Sequence, residues 1–172
     1  KTISEIKGHL LFLLSGPEPQ RSKLEEIFIR DIGHYNGTAT VVRGLPGNRT
    51  FIPSTGRLQF YNHLPADELN REMQKAEFII SRSGYSTVMD AMALQKRCIF
   101  IPTPGQTEQE YLGKYLMEKG VAFCVSQNNF SLTNALAGAN SFQYNITAVA
   151  NSALLSDAVT GLLSQLPVTD LG

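Results

Sequence analysis

Cysteine, histidine, excess charge and long apolar runs are all scarce in this 172-residue chain, and each scarcity removes a class of function. Two cysteines cannot frame a disulfide scaffold, and with three histidines they give no metal-ligand spacing. Cys98 and Cys124 both fall in apolar runs expected to be interior strands, so they read as small core residues in a reducing compartment. His9, His34 and His63 are scattered and fit no nucleophile elbow or triad pattern. Fifteen basic residues balance fifteen acidic ones, so no global field draws in nucleic acid or an acidic membrane. Arg21 and Lys23 are the nearest approach to a basic cluster. No apolar run nears the roughly 20 residues of a membrane span. There is no signal peptide pattern, and the Asn-x-Ser/Thr matches at Asn36, Asn48, Asn129 and Asn145 read as chance in a chain rich in those residues. No internal repeat, linker or low-complexity tract interrupts the chain. The expectation is one globular domain over 1–172, with 42% hydrophobic and 17% charged residues.

What is present is an alternation. LLFLL, within His9 to Ser15, is apolar on both sides, as a central parallel strand should be. After the turn Gly16-Pro17-Glu18-Pro19-Gln20, Arg21 to Ile32 reads as an amphipathic helix. Thr38 to Arg43 and Leu58 to Tyr61 are expected strands, and Ala66 to Lys75 an expected helix with Asp67 and Glu68 in its first turn. Glu77 to Ile80 is a strand, followed by the small polar loop Ser81 to Thr87 and a helix from Val88 to Leu94. Cys98 to Pro102 is the next strand, Thr103 to Glu110 a second polar loop, and a helix then runs to Gly120. Val121 to Val125 is a sixth strand, Ser131 caps a helix through Ala137, and Asn151 to Leu166 closes the chain as a helix, with Ala153, Leu154, Ala158, Leu162 and Leu166 facing the core. The expected fold class is therefore α/β, a Rossmann-like three-layer domain with a mostly parallel sheet of about six strands.

In such sheets ligands bind outside the carboxyl ends of the strands, where both polar loops lie. A helix start offers unpaired backbone N–H groups and the positive end of the helix dipole, and small residues let a phosphate approach them. Ser83, Gly84, Ser86 and Thr87 fit that use. Asp90 has two readings. Thr87-x-x-Asp90 matches a capping box, the commoner role at that spacing, while an acid just inside the helix also suits two ribose hydroxyls.

The ordered set Arg82-Ser83-Gly84-x-x-Thr87-Val88 with Asp90, a strand ending in Pro102, then Gln109 and a helix running to Gly120, resembles the donor-binding signature of family 28 glycosyltransferases. Within that family the pattern is similar to the N-acetylglucosaminyltransferases that make lipid-linked peptidoglycan precursor. The resemblance covers roughly Leu10 to Val125. It implies one half of a two-domain GT-B enzyme, inverting and metal-independent, that transfers a hexosyl group from a UDP-sugar to an acceptor. The absence of Asp-x-Asp agrees with this and argues against a metal-chelating, single-domain glycosyltransferase.

The resemblance also implies roles. Gly16, Ser83, Gly84, Ser86 and Thr87 would hold the diphosphate, Asp90 the ribose, His63 and Leu64 the base through backbone groups, and Gln109 with Glu110 the sugar. Gly16 also reads as part of a stiff turn, and His63 as an ordinary loop histidine. Glu110 and Gly113 depart from the Gln and Asn of the peptidoglycan enzymes. No cofactor beyond the UDP-sugar is expected. The catalytic base is expected in an N-terminal acceptor domain absent from this chain, or in a partner subunit, so this fragment alone is expected to be inactive. The resemblance implies a cytoplasmic protein, with any peripheral association with the inner face of the membrane assigned to that missing half. Other readings are a free-standing donor-binding subunit, a non-catalytic nucleotide-binding module, and a sugar-nucleotide epimerase, whose catalytic acids and histidine are not found in the sequence.

Overall fold

The computed structural model describes residues 2–147 and 153–165. Among them, six strands form one sheet: β1 (His9–Leu13), β2 (Thr38–Val42), β3 (Leu58–Tyr61), β4 (Phe78–Ser81), β5 (Arg97–Phe100) and β6 (Phe123–Cys124). The α-helices are α1 (Gln20–Ile32), α2 (Ala66–Lys75), α3 (Tyr85–Ala93), α4 (Thr107–Glu118), α5 (Leu132–Ser141) and α6 (Ala153–Gln165). The strand order is β3-β2-β1-β4-β5-β6, and every neighbouring pair is parallel.

The two-residue period of a strand explains the layers. From β1, Leu10, Phe12 and Leu14 enter one core with Phe78 and Ile80 of β4 and Ile99 and Ile101 of the β5 segment. Helices α1 and α5 cover this face through Leu24, Phe28, Ile32, Leu132, Ala135 and Ala139. Phe12 stacks on Phe28 with ring centroids 3.7 Å apart. Leu11 and Leu13 enter the opposite core with Ile79, Cys98 and Phe100, under Met73 of α2, Val88 of α3, Leu112 and Leu116 of α4, and Leu155 and Ala158 of α6. Strands β1, β4 and β5 are apolar on both sides because both sides are covered.

Several boundaries differ from the sequence expectation. Helix α3 begins at Tyr85, three residues before Val88, so Ser86 and Thr87 lie inside it. Ser131 sits at the N-cap of α5 without a side-chain cap bond; instead the Asp31 carboxylate accepts the Leu132 N–H at 2.9 Å, and the helix continues to Ser141. Cys124 lies on an edge strand and not an interior one. On α6 the buried residues are Leu155 and Ala158, while Ala153 is exposed; Asn151, Ser152 and Leu166 lie outside the described residues. No helix among the described residues is long and apolar enough to cross a membrane.

Candidate donor site at the sheet's switch point

Strands β1 and β4 are neighbours at the centre of the sheet, and the chain leaves them in opposite directions. After β1 it crosses through α1 on one face, and after β4 through α3 on the other. The loops beyond the two strands therefore part, and a crevice opens at their carboxyl ends.

The turn after β4 is Arg82-Ser83-Gly84. Gly84 is the N-cap of α3, extended at φ −71° and ψ 143°, and no side chain caps this helix. The first backbone N–H groups of α3 thus lack the partner that a Ser, Thr or Asp cap would supply. Arg82 is fully buried and pins the turn in place. Its guanidinium donates to the carbonyls of Ile101 at 3.1 Å, Pro102 at 3.4 Å and Gln20 at 3.1 Å. One side chain so ties together the turn after β4, the loop after β5 and the start of α1. Burial pushes its pKa down to about 10, which leaves it charged at neutral pH.

The loop after β5 is held from α4. The Gln109 amide oxygen accepts the Thr103 N–H at 2.9 Å, and its NH2 donates to Gln106 Oε1 at 2.8 Å. Ser83 Oγ donates to the Gln109 carbonyl at 2.7 Å, which joins the two polar loops. Gly113 lets α4 settle this low: a Cβ there would stand 2.7 Å from Cys124 Sγ and 3.1 Å from Pro102 Cγ. Burial raises the Cys124 thiol to about 11 and the Cys98 thiol to about 12, so both remain protonated core groups.

A cavity of about 440 Å³ opens between these parts. Ser83, Gly84, Gln106, Glu108 and Gln109 form its polar side, and Val159, Leu162 and Leu163 of α6 its apolar wall. The structure therefore brings Ser83, Gly84 and Gln109 together at one opening. Ser86 and Thr87 occupy the first turn of α3, where their backbone N–H groups belong to the uncapped end. Gly16 lies in the loop after β1 with φ +98°, a conformation that favours glycine, and a Cβ there would stand 3.5 Å from Thr103 Oγ1.

Other expected residues stand elsewhere. Asp90 sits in the second turn of α3, exposed, and its carboxylate has no hydrogen bond or ion pair among the described residues. The capping-box reading of Thr87-x-x-Asp90 is thus overturned, because the helix starts too early for Thr87 to be its cap. Glu110 lies outside the cavity, and its carboxylate accepts the Gly105 N–H at 3.1 Å. His63 is exposed, whereas the Leu64 side chain is buried in the core with Met73 and Val42, leaving its backbone for any ligand. Sequence reasoning missed the pinning role of Arg82 and the wall built by α6. Leu162 reads as core and Leu163 has no place in that pattern, and only the packing shows that both face an opening.

The profile described as the Glycosyltransferase family 28 C-terminal domain matches residues 56–158, more than half of the chain. The chain belongs to that family. Among curated proteins, it is 30% identical over 101 residues to the UDP-N-acetylglucosamine--N-acetylmuramyl-(pentapeptide) pyrophosphoryl-undecaprenol N-acetylglucosamine transferase of Rickettsia canadensis. That match covers 58% of this chain and 27% of the relative, so the chain spans about a quarter of that enzyme's length. Among solved structures, the family 28 domain is similar to the glycosyltransferase SnogD from Streptomyces nogalater, with a TM-score of 0.58, 14% identity, and coverage of 96% of this chain and 41% of that one. It is also similar to ALG13 in solution, with a TM-score of 0.56, 12% identity, and coverage of 81% and 88%. The structural likenesses bear out the GT-B half as the fold of the family 28 domain.

Proposed function

We propose that this domain is the donor-binding half of an inverting, metal-independent glycosyltransferase that takes a UDP-sugar. One observation carries the reading. The N-terminus of α3 is uncapped, stands behind a turn as small as Ser83-Gly84, and lies at the switch point of the sheet. A diphosphate there meets backbone N–H groups and the positive end of a helix dipole, which suit the charge that grows on departing UDP. In this reading Ser83, Gly84 and the first turn with Ser86 and Thr87 hold the diphosphate, with Gly16 opposite. Asp90 takes the ribose hydroxyls, and the backbone at His63-Leu64 borders the base. Gln109 takes sugar hydroxyls by exchanging its contacts to Thr103 and Gln106, and the apolar face of α6 closes the far side of the cavity. The base that activates the acceptor belongs to the other half of the enzyme.

Calorimetry with UDP, UMP and uridine tests this reading. The domain alone is expected to bind UDP at about −4 to −5.5 kcal/mol, the millimolar to high micromolar range, since half a two-domain site is present. Affinity is expected to be the same in chelator, and sugar transfer is expected only with the acceptor half. Ser83→Ala should weaken UDP and UMP but spare uridine. No saturable binding of any of the three ligands to the full-length protein overturns the reading.

A second reading, a free-standing donor-binding subunit that acts with a partner chain, is favoured by the likeness to ALG13, 88% of whose chain is covered. The gene's open reading frame separates the two readings: an acceptor domain encoded upstream excludes the subunit.

A further inference from the structure

A guanidinium taken out of water costs a great deal unless a carboxylate or another anion balances it. Arg82 is 1% exposed, and among the described residues no carboxylate stands within ion-pair distance of it. Its partners are three backbone carbonyls, and its Nε, also buried, has no acceptor among the described residues. Beside it, Gln127 donates to the Gln20 side chain, and Gln127 Oε1 and Thr103 Oγ1 are likewise buried without partners. The interior directly behind the Ser83-Gly84 turn thus holds one net positive charge and few groups to answer it. On the other side of that turn is the uncapped start of α3, whose field is also positive. Two positive ends that converge on one small turn are stabilised by an anion bound on its outer side, and the groove there is open to one.

We infer that Arg82 is a positioning residue for the donor diphosphate: from beneath the Ser83-Gly84 turn, and without touching the ligand, it supplies the charge that the phosphates balance. This rests on the donor-site reading. It adds that the phosphate part of the affinity depends on the charge of Arg82 and not only on its hydrogen bonds. A scaffold arginine would act on every ligand alike, because a turn out of place disturbs base, ribose and phosphate together. A charged one acts on phosphate alone.

The test is calorimetry on the full-length protein with uridine, UMP and UDP, for wild type, Arg82→Gln and Arg82→Lys. Arg82→Gln is expected to lower the ratio of UDP to uridine affinity about tenfold or more, the scale of one nearby unit charge in a partly buried site. Uridine affinity itself should stay within about threefold. Arg82→Lys, which keeps the charge and loses most of the fork, should restore the ratio. An equal loss for all three ligands in both variants overturns the inference, and so does an unchanged ratio in Arg82→Gln. Wild type that binds none of the three overturns the donor site itself, and the inference with it. Should Arg82→Gln not fold, Arg82→Lys decides through pH. A buried ammonium gives up its proton more readily than a guanidinium, so its ratio should fall relative to wild type between about pH 7 and about pH 9. Parallel profiles for the two proteins overturn the inference.

Discussion

Two clusters of polar contacts, each around a buried arginine, stand at the carboxyl edge of this sheet, and they are built in opposite ways. On the β2–β3 side Arg21 and Arg43 share Glu25. Arg21 donates to it at 3.1 Å and also to Glu18 at 2.7 Å, while Arg43 reaches Glu25 and the Asn62 side chain. Burial works against the charge of Arg21, but Glu18 and Glu25 hold its pKa above the ordinary range. Asn62 then donates to the carbonyls of Asn48 and Thr50 and so fixes the loop after β2. On the β4–β5 side the partners of Arg82 among the described residues are carbonyls only. The first cluster is complete without a ligand. The second is complete in its geometry and unfinished in its charge. A balanced cluster fixes a loop, while an unbalanced one beside an open groove leaves work for an anion.

The largest expected effect breaks the balanced side. Glu25→Ala leaves the buried Arg21 with Glu18 alone and takes the carboxylate from the half-buried Arg43, and loss of the shared partner from such a network costs about 3 kcal/mol. Chemical denaturation should show this as a lower midpoint with an unchanged slope. The ratio of UDP to uridine affinity should stay at the wild-type value, because no donor group is touched. A fall in that ratio would erase the contrast between the clusters.

Next in size is Gly113→Asn, which puts back the residue of the peptidoglycan enzymes. The position is buried under Cys124, Pro102 and Ser83, so a side chain there overpacks the seat of α4 and should cost about 2 kcal/mol of stability. Thermal melting checks the stability, and UDP titration should show weaker binding, since α4 carries Gln109. A neutral variant would mean that α4 shifts freely, and that the Ser83–Gln109 link does not fix the donor loops.

The strands were legible in the sequence because LLFLL, EFII and CIFIP are apolar at every position, or nearly so, and only a sheet covered on both faces needs that. The small polar loop after β4 was legible in its residues but not in its register. Thr87-x-x-Asp90 has the spacing of a capping box, yet the helix opens at Tyr85 from a glycine with no side-chain cap. A local rule yields here to the tertiary hold of Arg82 on the turn. That hold was out of reach, since an arginine in a polar loop reads as exposed, and one of its acceptors is the carbonyl of Gln20, 62 positions away. Glu110 follows Gln109 in the chain but does not share its place in the site. On a helix consecutive residues diverge, and Glu110 turns back to Gly105 while Gln109 faces the cavity.

A smaller effect lies at the opposite, amino edge of the sheet and acts through pH. His9 is buried at the start of β1, with Nδ1 2.8 Å from Thr38 Oγ1 and Glu72 and Lys75 as its charged neighbours. Burial lowers its pKa below 6.5, and Glu72 only partly offsets this. For a base with a depressed folded pKa, the unfolded chain takes up the proton first. Stability from His9 is therefore full above about pH 6.5 and falls as pH drops through that value. Glu72 is also held low: burial opposes its charge, but the hydrogen bonds from Lys75 and Thr40 prevail. Its contribution fades only at lower pH, near the usual carboxylate range. Unfolding free energies across pH should show two separate declines, and His9→Gln should remove the upper one. A single decline would place the acid sensitivity elsewhere.

The smallest expected effect on stability belongs to Asp90, and there the unbalanced side is tested most directly. The carboxylate is exposed, caps nothing and pairs with nothing among the described residues. Asp90→Asn should therefore leave stability within about 0.5 kcal/mol. A loss near 1 kcal/mol would restore the capping role that the start of α3 argues against. Ligand binding should behave differently. If the two ribose hydroxyls donate to this carboxylate, its neutralisation should weaken uridine, UMP and UDP alike, by about ten- to a hundredfold. That pattern is the opposite of the one expected for Arg82→Gln, which spares uridine. The two variants together read the donor site in its two parts, one neutral and one charged. Should Asp90→Asn bind uridine as wild type does, the ribose does not lie over the second turn of α3. The phosphates would then keep their place at the turn, and the nucleoside would have to leave it in another direction, toward the apolar wall of α6.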